Sequence, residues 1–280
     1  MPPAKPPPQR PARQRSLRLS DTVGKAISIL DALGHEPYDL TTSEVAAAVG
    51  LDRTTVYRLL ETLAERRLVT RDPQTRRYRL GLRALDYANA VRDRLEVRHV
   101  ALSHLVDLQH ELDLQPNLCR CTLVALLDDL EVVLVETLGA AAPQTDLTRR
   151  ARIPAHISAT GRCLLAYLEP AELNARLDRM FANANANACA APTETAQRRK
   201  RLIQELAAIR QRGYALSDRQ VGSNTRALAA PVRARSGAPL AAVGIVVDPA
   251  KMSLAELVER YAGRMVSIAE RISLALRYRG

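Results

Sequence analysis

Five polar or basic side chains in one segment have the chemistry to contact nucleic acid. They are Arg53, Thr54, Thr55, Tyr57 and Arg58, opposite an apolar stripe at helical spacing. A guanidinium group pairs bidentately with guanine edges and phosphates, and a hydroxyl group donates to either. We interpret this row as base or phosphate contacts, made from the first turns of a helix that enters the major groove.

A predicted β-hairpin follows this row. Residues 68–71 and 77–80 alternate polar and apolar side chains around the turn residues 72–75, which is typical of a wing. We expect the arginines of the second strand and the turn to project from the hairpin and to position the protein on phosphates more than to specify bases. These arginines are Arg76, Arg77 and Arg79.

Basic residues are concentrated in this part of the chain. Residues 53–83 contain nine arginines and three acidic residues, so more than half of the net charge of +11 lies here. Only four of the 41 cationic residues are lysines, a bias that fits phosphate recognition and that a G+C-rich genome also produces. The position of the charge favours DNA contacts. We predict them at Thr42, Ser43, Arg53, Thr54, Thr55, Tyr57, Arg58, Arg76, Arg77 and Arg79.

Three short helices are predicted to position these side chains. Helical spacing indicates a first helix with its N-cap at Ser20 or Asp21, ending near Gly34. The residues from Thr41 to Glu44 form a capping-box pattern that begins a second helix over about 42–49, and a glycine turn leads into the third. This order predicts a winged helix-turn-helix. The alternatives are a small helical domain with a solvated arginine face and a protein-binding winged helix.

Composition sets the broad class. A chain of 280 residues and 30.8 kDa is expected to form about two domains, and 47% hydrophobic with 25% charged residues is an ordinary globular balance. No aliphatic run exceeds the five residues of 123–127, far below the roughly 18 residues of a membrane span, and no apolar signal segment opens the chain. We therefore expect a soluble, cytoplasmic protein that does not contact a membrane.

Candidate catalytic and metal-binding residues are few. Of the four cysteines, Cys119, Cys121, Cys163 and Cys189, none forms a C-x-x-C pair, and we interpret them as reduced thiols without a metal or cofactor. His156, Ser158 and Cys163 leave open an enzyme with an appended DNA-binding domain, although there is no G-x-S-x-G motif. The other alternative is a DNA-packing protein without an effector.

The second half of the chain changes its periodicity. A helix over 82–98 and another over 100–112 precede a hairpin with strands over 118–127 and 131–136. Further helices and strands then alternate, which predicts an α+β domain with an antiparallel sheet. Residues 1–20 are expected to be a disordered basic arm, and the Ala/Asn tract 182–188 a flexible loop. The remaining helices are predicted over 157–168, 171–180, 195–212 and 253–278, and the remaining strands over 214–218, 226–233 and 239–247.

The residues also resemble a known family. Residues 21–81, with the exit Arg77-Tyr78-Arg79-Leu80-Gly81 from the wing, are similar to the winged helix of the IclR family of bacterial transcription regulators. Residues 153–166, 206–214 and 229–232 are similar to later segments of that family, in the same order. The resemblance covers residues 21–278, nearly the whole chain.

This resemblance implies an organisation and partners. It predicts a DNA-binding domain over 21–81, a linker helix over 82–98 and a GAF-like effector-binding domain over 99–280. The implied partners are double-stranded operator DNA, a small organic acid as effector, and a second copy of the chain in a homodimer or a dimer of dimers. Whether the protein represses or activates is left open.

The family's effector pocket maps onto scattered positions of this chain. Gly161 matches a loop glycine whose amide would hold a carboxylate, and neighbouring hydroxyl groups would add donors. Ser217 stands where an acidic contact is typical, Ala227 replaces a frequent cysteine, and the wall is more apolar as a result. That favours a larger or aromatic effector. The implied effector residues are Cys119, Cys121, Ser158, Thr160, Gly161, Ser217, Asp218, Ala227, Gly244 and Val246, with the two cysteines expected on one face of a strand.

Overall fold

The chain divides into two compact units, residues 1–91 and 92–280. The computed structural model describes residues 20–35, 37–113, 119–139, 152–187, 192–221 and 224–278. The predicted disordered arm, residues 1–20, lies outside the described residues except for Ser20. The boundary between the units falls within the predicted linker, residues 82–98.

Unit 1 is built from three helices, a hairpin and a fourth helix. The elements are α1 Asp21–Leu33, α2 Thr42–Val49, α3 Arg53–Glu65, β1 Val69–Arg71, β2 Tyr78–Leu80 and α4 Arg83–Arg92. β1 and β2 pair antiparallel, and Leu40 joins β2 through a bridge to Tyr78. This confirms the predicted winged helix-turn-helix.

Local signals account for the helix boundaries in unit 1. The capping box at Thr41 and Glu44 forms as predicted, and Gly50 ends α2 in the left-handed conformation, at φ 66°. Ser20 lies at the N-cap position of α1 but makes no side-chain capping bond. The core beneath α1–α3 is formed by Ile29, Leu33, Leu40, Val45, Ala46, Val56, Leu60, Leu63, Val69 and Tyr78.

Unit 2 is a six-stranded antiparallel sheet with helices on both faces. Its strand order is β5-β4-β3-β8-β7-β6. The elements are α5 Glu96–Asp113, β3 Cys119–Asp128, β4 Glu131–Leu138, β5 Arg152–Pro154, α6 Ala159–Ala166, α7 Pro170–Asn187, α8 Pro192–Arg212, β6 Ala215–Asp218, β7 Arg226–Arg233, β8 Pro239–Val247 and α9 Leu254–Arg277. The predicted α+β class is confirmed.

Alternation along the strands builds two cores. Val124 and Ile245 face the helices α5 and α9, whereas Ala125 and Val246 face α6 and α8. The interior strands β7 and β8 are therefore almost wholly buried, which is why their sequences are nearly continuous apolar runs.

Three sequence predictions need correction. A single linker helix over 82–98 is wrong, because α4 ends at Arg92 and α5 begins at Glu96. The Ala/Asn tract is not a loop over its described part, since α7 continues to Asn187; alanine is the strongest helix former and extends the preceding helix. The three-residue strand β5 was not predicted, because it is too short for an alternating pattern to be read.

One close backbone contact fixes the start of α6. A Cβ atom added at Gly161 would lie 2.2 Å from the carbonyl oxygen of Ala155 and 2.4 Å from its Cα atom. Backbone atoms cannot move aside as a flexible side chain can, so only glycine fits there. Gly263 in α9 is different, since an added Cβ atom would meet nothing within 4 Å.

We expect Gly161→Ala to lower the free energy of unfolding of the full chain by about 1–3 kcal/mol or more through this overlap. Gly263→Ala is the matched control and should leave stability unchanged or raise it by about 0.5–1 kcal/mol, because glycine is unfavourable within a helix. Urea unfolding followed by circular dichroism measures both. Equal stability of the two variants would show that the Ala155 contact is not restrictive.

Candidate nucleic-acid interface and ligand cavity

The predicted recognition face of α3 is presented to solvent. Arg53, Thr54, Tyr57 and Arg58 are exposed, while Val56 on the opposite side is fully buried. Asp52 caps the helix, its carboxylate accepting a hydrogen bond of 2.9 Å from the amide of Thr55. The N-terminal turn of α3 is thus held in place by unit 1 with its basic side chains facing outward.

The arginines of unit 1 divide into two groups. Among the described residues, Arg53, Arg58 and Arg76 are exposed and form no ion pair, so their guanidinium groups are available to an anionic partner. Arg77 is different: its Nη2 atom lies 3.0 Å from Oε2 of Glu44, and its Nε atom 3.5 Å from Oδ1 of Asp39. The expectation that Arg77 projects from the wing is therefore wrong, because it joins the wing to the start of α2.

Thr42 also turns inward. It is half-buried, and its side chain hydrogen-bonds Tyr78, whose own hydroxyl donates to Oε1 of Glu61 at 2.9 Å. Burial, followed by the bond to Glu61, raises the pKa of Tyr78. Ser43, Thr55 and Arg79 are at least partly exposed, as a contact residue must be. The sequence signals did not reveal the role of Tyr78 as a fully buried link between wing and α3.

Three carboxylates of unit 1 are held ionised by hydrogen bonds. The hydroxyl and then the amide of Thr55 lower the pKa of Asp52, and the amides of Thr75 and Gln74 lower that of Asp72 at the wing turn. The amide of Thr41 is the main cause of the lowered pKa of Glu44. The helix starts and the wing turn therefore depend on deprotonated carboxylates.

Unit 2 contains a small cavity between the start of α6 and strands β3, β7 and β8. Six of the ten predicted effector residues line it: Ser158, Thr160, Ser217, Ala227, Gly244 and Val246. The other walls are largely apolar and include Leu123, Leu134 and Ile153. Its volume of about 20 Å³ has room for about one water molecule, so the cavity is nearly closed in this state.

The structure places the other predicted effector residues elsewhere. The amide of Gly161 donates to Oγ of Ser158 at 3.0 Å. The expectation that this amide holds a carboxylate is therefore wrong for this state. Asp218 pairs with Arg226 through contacts of 2.9 and 3.0 Å and does not line the cavity. Cys121 is buried in the core beside α6, outside the lining. The side chain of Cys119 lies outside the described part, and a register shift between the two cysteines interrupts the alternation on which their common face was predicted.

A buried arginine next to this cavity was missed by sequence reasoning. Arg162 is 4% exposed, and its Nη1 atom lies 3.0 Å from Oε2 of Glu205. Its Nη2 atom donates to the carbonyl oxygen of Leu216 and to Oε1 of Gln220. Burial lowers the pKa of Arg162 and Glu205 opposes that change. The available signal was an arginine within an otherwise apolar helical run.

The residues that left an enzyme open as an alternative, His156, Ser158 and Cys163, do not form a hydrogen-bonded pair of nucleophile and base. Cys163 is fully buried, which raises the pKa of its thiol, so the reactive thiolate is scarce at neutral pH. The hydroxyl of Ser158 is engaged in capping α6. Among the described residues no hydrogen bond joins His156 to either side chain, and no group of three or more potential metal ligands is found.

Comparison with known proteins matches each half of the chain to one domain of a single family. The IclR helix-turn-helix domain matches residues 22–73, and the domain described as bacterial transcriptional regulator IclR C-terminal matches residues 89–274. The HTH-type transcriptional regulator XynR of Escherichia coli is 27% identical over 242 residues, 85% of this chain and 90% of that protein. KipR of Bacillus subtilis is 27% identical over 212 residues, 75% of this chain and 79% of that protein.

Solved structures show the same fold. A transcriptional regulator from Rhodococcus sp. RHA1 has a TM-score of 0.71 and 26% identity, covering 92% of this chain and 98% of its own. An IclR homologue from Microbacterium hydrocarbonoxydans, solved with 4-hydroxybenzoate, has a TM-score of 0.71 and 23% identity, covering 92% and 99%.

The cap of α3 should be acid-sensitive. Because folding lowers the pKa of Asp52, its contribution to the free energy of unfolding is full above the ordinary value of 3.8 and is lost as pH falls through the lowered, folded-state value. We expect Asp52→Ala to lower the urea midpoint at pH 7, and Asp52→Asn to retain more stability because the amide oxygen still accepts. Between pH 7 and 3, Asp52→Asn should lose less stability than the parent chain; equal losses would exclude a role for this carboxylate.

Proposed function

Since the chain belongs to the IclR family of bacterial transcriptional regulators, we propose that α3 reads operator DNA from the major groove. The chain is a DNA-binding transcription regulator of that family, and the contacts of individual residues are the step proposed here. One observation carries it: Arg53 and Arg58 are exposed on a capped helix and have no ion-pair partner among the described residues. We assign them base contacts, and assign phosphate contacts to Arg76 and Arg79.

A second copy of the chain fits the apolar surface of unit 1. No residue of α4 is buried, and its apolar side chains face solvent: Leu85 and Val91 are 57% and 62% exposed, and Leu82 just before the helix is 82% exposed. On α1, Val23 and Ile27 are also more than half exposed. One winged helix reads one half-site, so pairing through these side chains would present two recognition helices to a palindromic operator. A homodimer is therefore proposed, with a dimer of dimers as the larger assembly.

The effector proposed for the cavity is a small organic acid, with an aromatic acid favoured. Hydroxyl groups at Ser158, Thr160 and Ser217 can donate to a carboxylate, and the apolar walls suit a ring. Because the volume is only about 20 Å³, such a ligand must widen the cavity, and it therefore distinguishes between two states of unit 2. That difference is what an effector needs to change operator affinity.

Regulation rather than turnover is the role supported by the buried Cys163 thiol and the capping role of Ser158.

The domain organisation of residues 21–81, 82–98 and 99–280 stays part of the proposal, with the linker formed by two helices. A transcription regulator works where its DNA is, so we place the protein in the cytoplasm. In the described part of the chain, every helix is too short or too polar to cross a bilayer.

Arg53→Ala or Arg58→Ala should weaken operator binding by about 1–3 kcal/mol if the guanidinium group forms hydrogen bonds with a base edge. Fluorescence anisotropy with DNA from the gene's own upstream region and with a shuffled duplex, each at two salt concentrations, measures the loss. Arg271→Ala, an exposed arginine on α9, is the control and should change neither affinity appreciably.

The pattern of losses identifies the kind of contact. A greater loss on the operator than on the shuffled duplex indicates base readout, whereas equal losses indicate a phosphate contact. Equal and steeply salt-dependent binding of the unmodified chain to both duplexes, unaffected by any acid, would contradict the regulator mechanism and favour a DNA-packing protein.

In Thr160→Val, about tenfold more ligand should be needed for the same thermal stabilisation, because the substitution removes a cavity hydroxyl at nearly constant volume. The probe is 4-hydroxybenzoate, and thermal stabilisation of the full chain is the readout. Thr122→Val is the control, since Thr122 is buried and does not line the cavity. If both valine variants respond like the parent chain, the acid binds outside this cavity.

A further inference from the structure

Unit 2 contains a second and much larger cavity, of about 420 Å³. It lies beside α7 and α8 and shares no described residue with the smaller cavity lined by Ser158, Thr160 and Ser217, which we call the effector cavity. Its apolar lining includes Met180, Phe181 and Leu202, and its polar lining includes His156, Arg198 and Arg201. A volume of this size lies within the range of small-molecule sites, roughly 300–1,000 Å³.

The charges of the lining favour an anion. Arg201 is exposed and forms no ion pair among the described residues. The lining also contains Glu205, but that carboxylate is paired with the buried Arg162, and Arg198 is paired with Glu194. Among the described lining residues, the charge left without an ion-pair partner is therefore the positive charge of Arg201.

One buried polar atom belongs to a lining residue but does not face the cavity. Nδ1 of His156 is inaccessible to solvent and has no hydrogen-bond partner among the described residues, so a ligand reaches it only if neighbouring side chains move. The apolar side chains of Met180, Phe181 and Leu202 would meanwhile contact a flat hydrocarbon body.

We propose that this cavity is a second ligand site, distinct from the effector cavity, for an aromatic carboxylate of one or two rings. Arg201 holds the carboxylate, and the rings lie against Phe181 and Met180.

Neighbouring residues line the two cavities. Ile157 and Gln220 line the second cavity, whereas Ser158 and Ser217 line the first. Oγ of Ser217 donates to the carbonyl oxygen of Ile157 at 3.0 Å and lies 3.4 Å from Oε1 of Gln220. A ligand that shifts Gln220 therefore shifts a hydrogen bond of the effector cavity, which would let each site change the affinity of the other.

The test is calorimetric titration of the full chain with 2-naphthoate. Arg201→Glu should weaken binding at least tenfold, because it replaces the carboxylate's partner by a like charge. Lys200→Glu is the matched control: it is the neighbouring exposed residue of α8, carries the same change in net charge and does not line the cavity, so affinity should stay within twofold. The uncharged analogue 2-naphthalenemethanol should bind at least tenfold more weakly than 2-naphthoate.

Three results would overturn the proposal. Equal losses in the two glutamate variants would show only general electrostatic attraction, and unchanged affinity in Arg201→Glu would exclude Arg201 as the carboxylate partner. Loss of 2-naphthoate binding in Thr160→Val but not in Arg201→Glu would place the probe in the effector cavity. If Arg201→Glu melts below the parent chain, Arg201→Gln replaces it and should weaken binding by at least threefold.

Discussion

The buried guanidinium of Arg162 constrains the arrangement of unit 2 around its cavities. A charge removed from water is tolerated only when it is paired and hydrogen-bonded, so Glu205 on α8, Leu216 on β6 and Gln220 must all meet it at once. The same requirement recurs at Arg226, 7% exposed, which is held by Asp218 and by the carbonyl oxygen of Met252. Together the two arginines fix both ends of β6 against the neighbouring helices and strands. Since Ser217 lies on β6, its place in the effector cavity is a consequence of these charge contacts.

The arginines of unit 1 lie in two environments, one paired with a carboxylate and one exposed to solvent. Arg77 and Glu44 form an ion pair that joins wing and α2, whereas Arg53 and Arg58 remain exposed on α3. Exposed ion pairs contribute little to stability on their own, but here Glu44 also closes the capping box. The pair therefore positions the wing, and under the proposed function Arg53 and Arg58 are the charges that meet the DNA.

Local signals in the sequence were sufficient for most elements. A capping box is decided within four residues, so the start of α2 was predicted closely, and the near-continuous apolar strands β7 and β8 were predicted at their observed bounds. The contacts that were missed lie far apart in the chain. Arg162 meets partners 43 to 58 residues away, and Arg77 meets Glu44 33 residues away. No local pattern reports such pairs, and composition alone could not tell which arginines would be left without a partner.

The small volume of the effector cavity limits how any ligand can act. A rigid, open pocket would bind ligand without changing the protein, whereas a cavity of about 20 Å³ cannot accept a ring unless its walls move. The walls least able to move are β3 and β8, since both are central strands of the sheet. The walls held by side-chain hydrogen bonds, at Ser158 and Ser217, need less energy to rearrange because each loses only one or two such bonds. If a ligand expands the cavity towards α6 and β6, the contacts of Arg162 with Glu205 and Leu216 must either break or carry α8 with them.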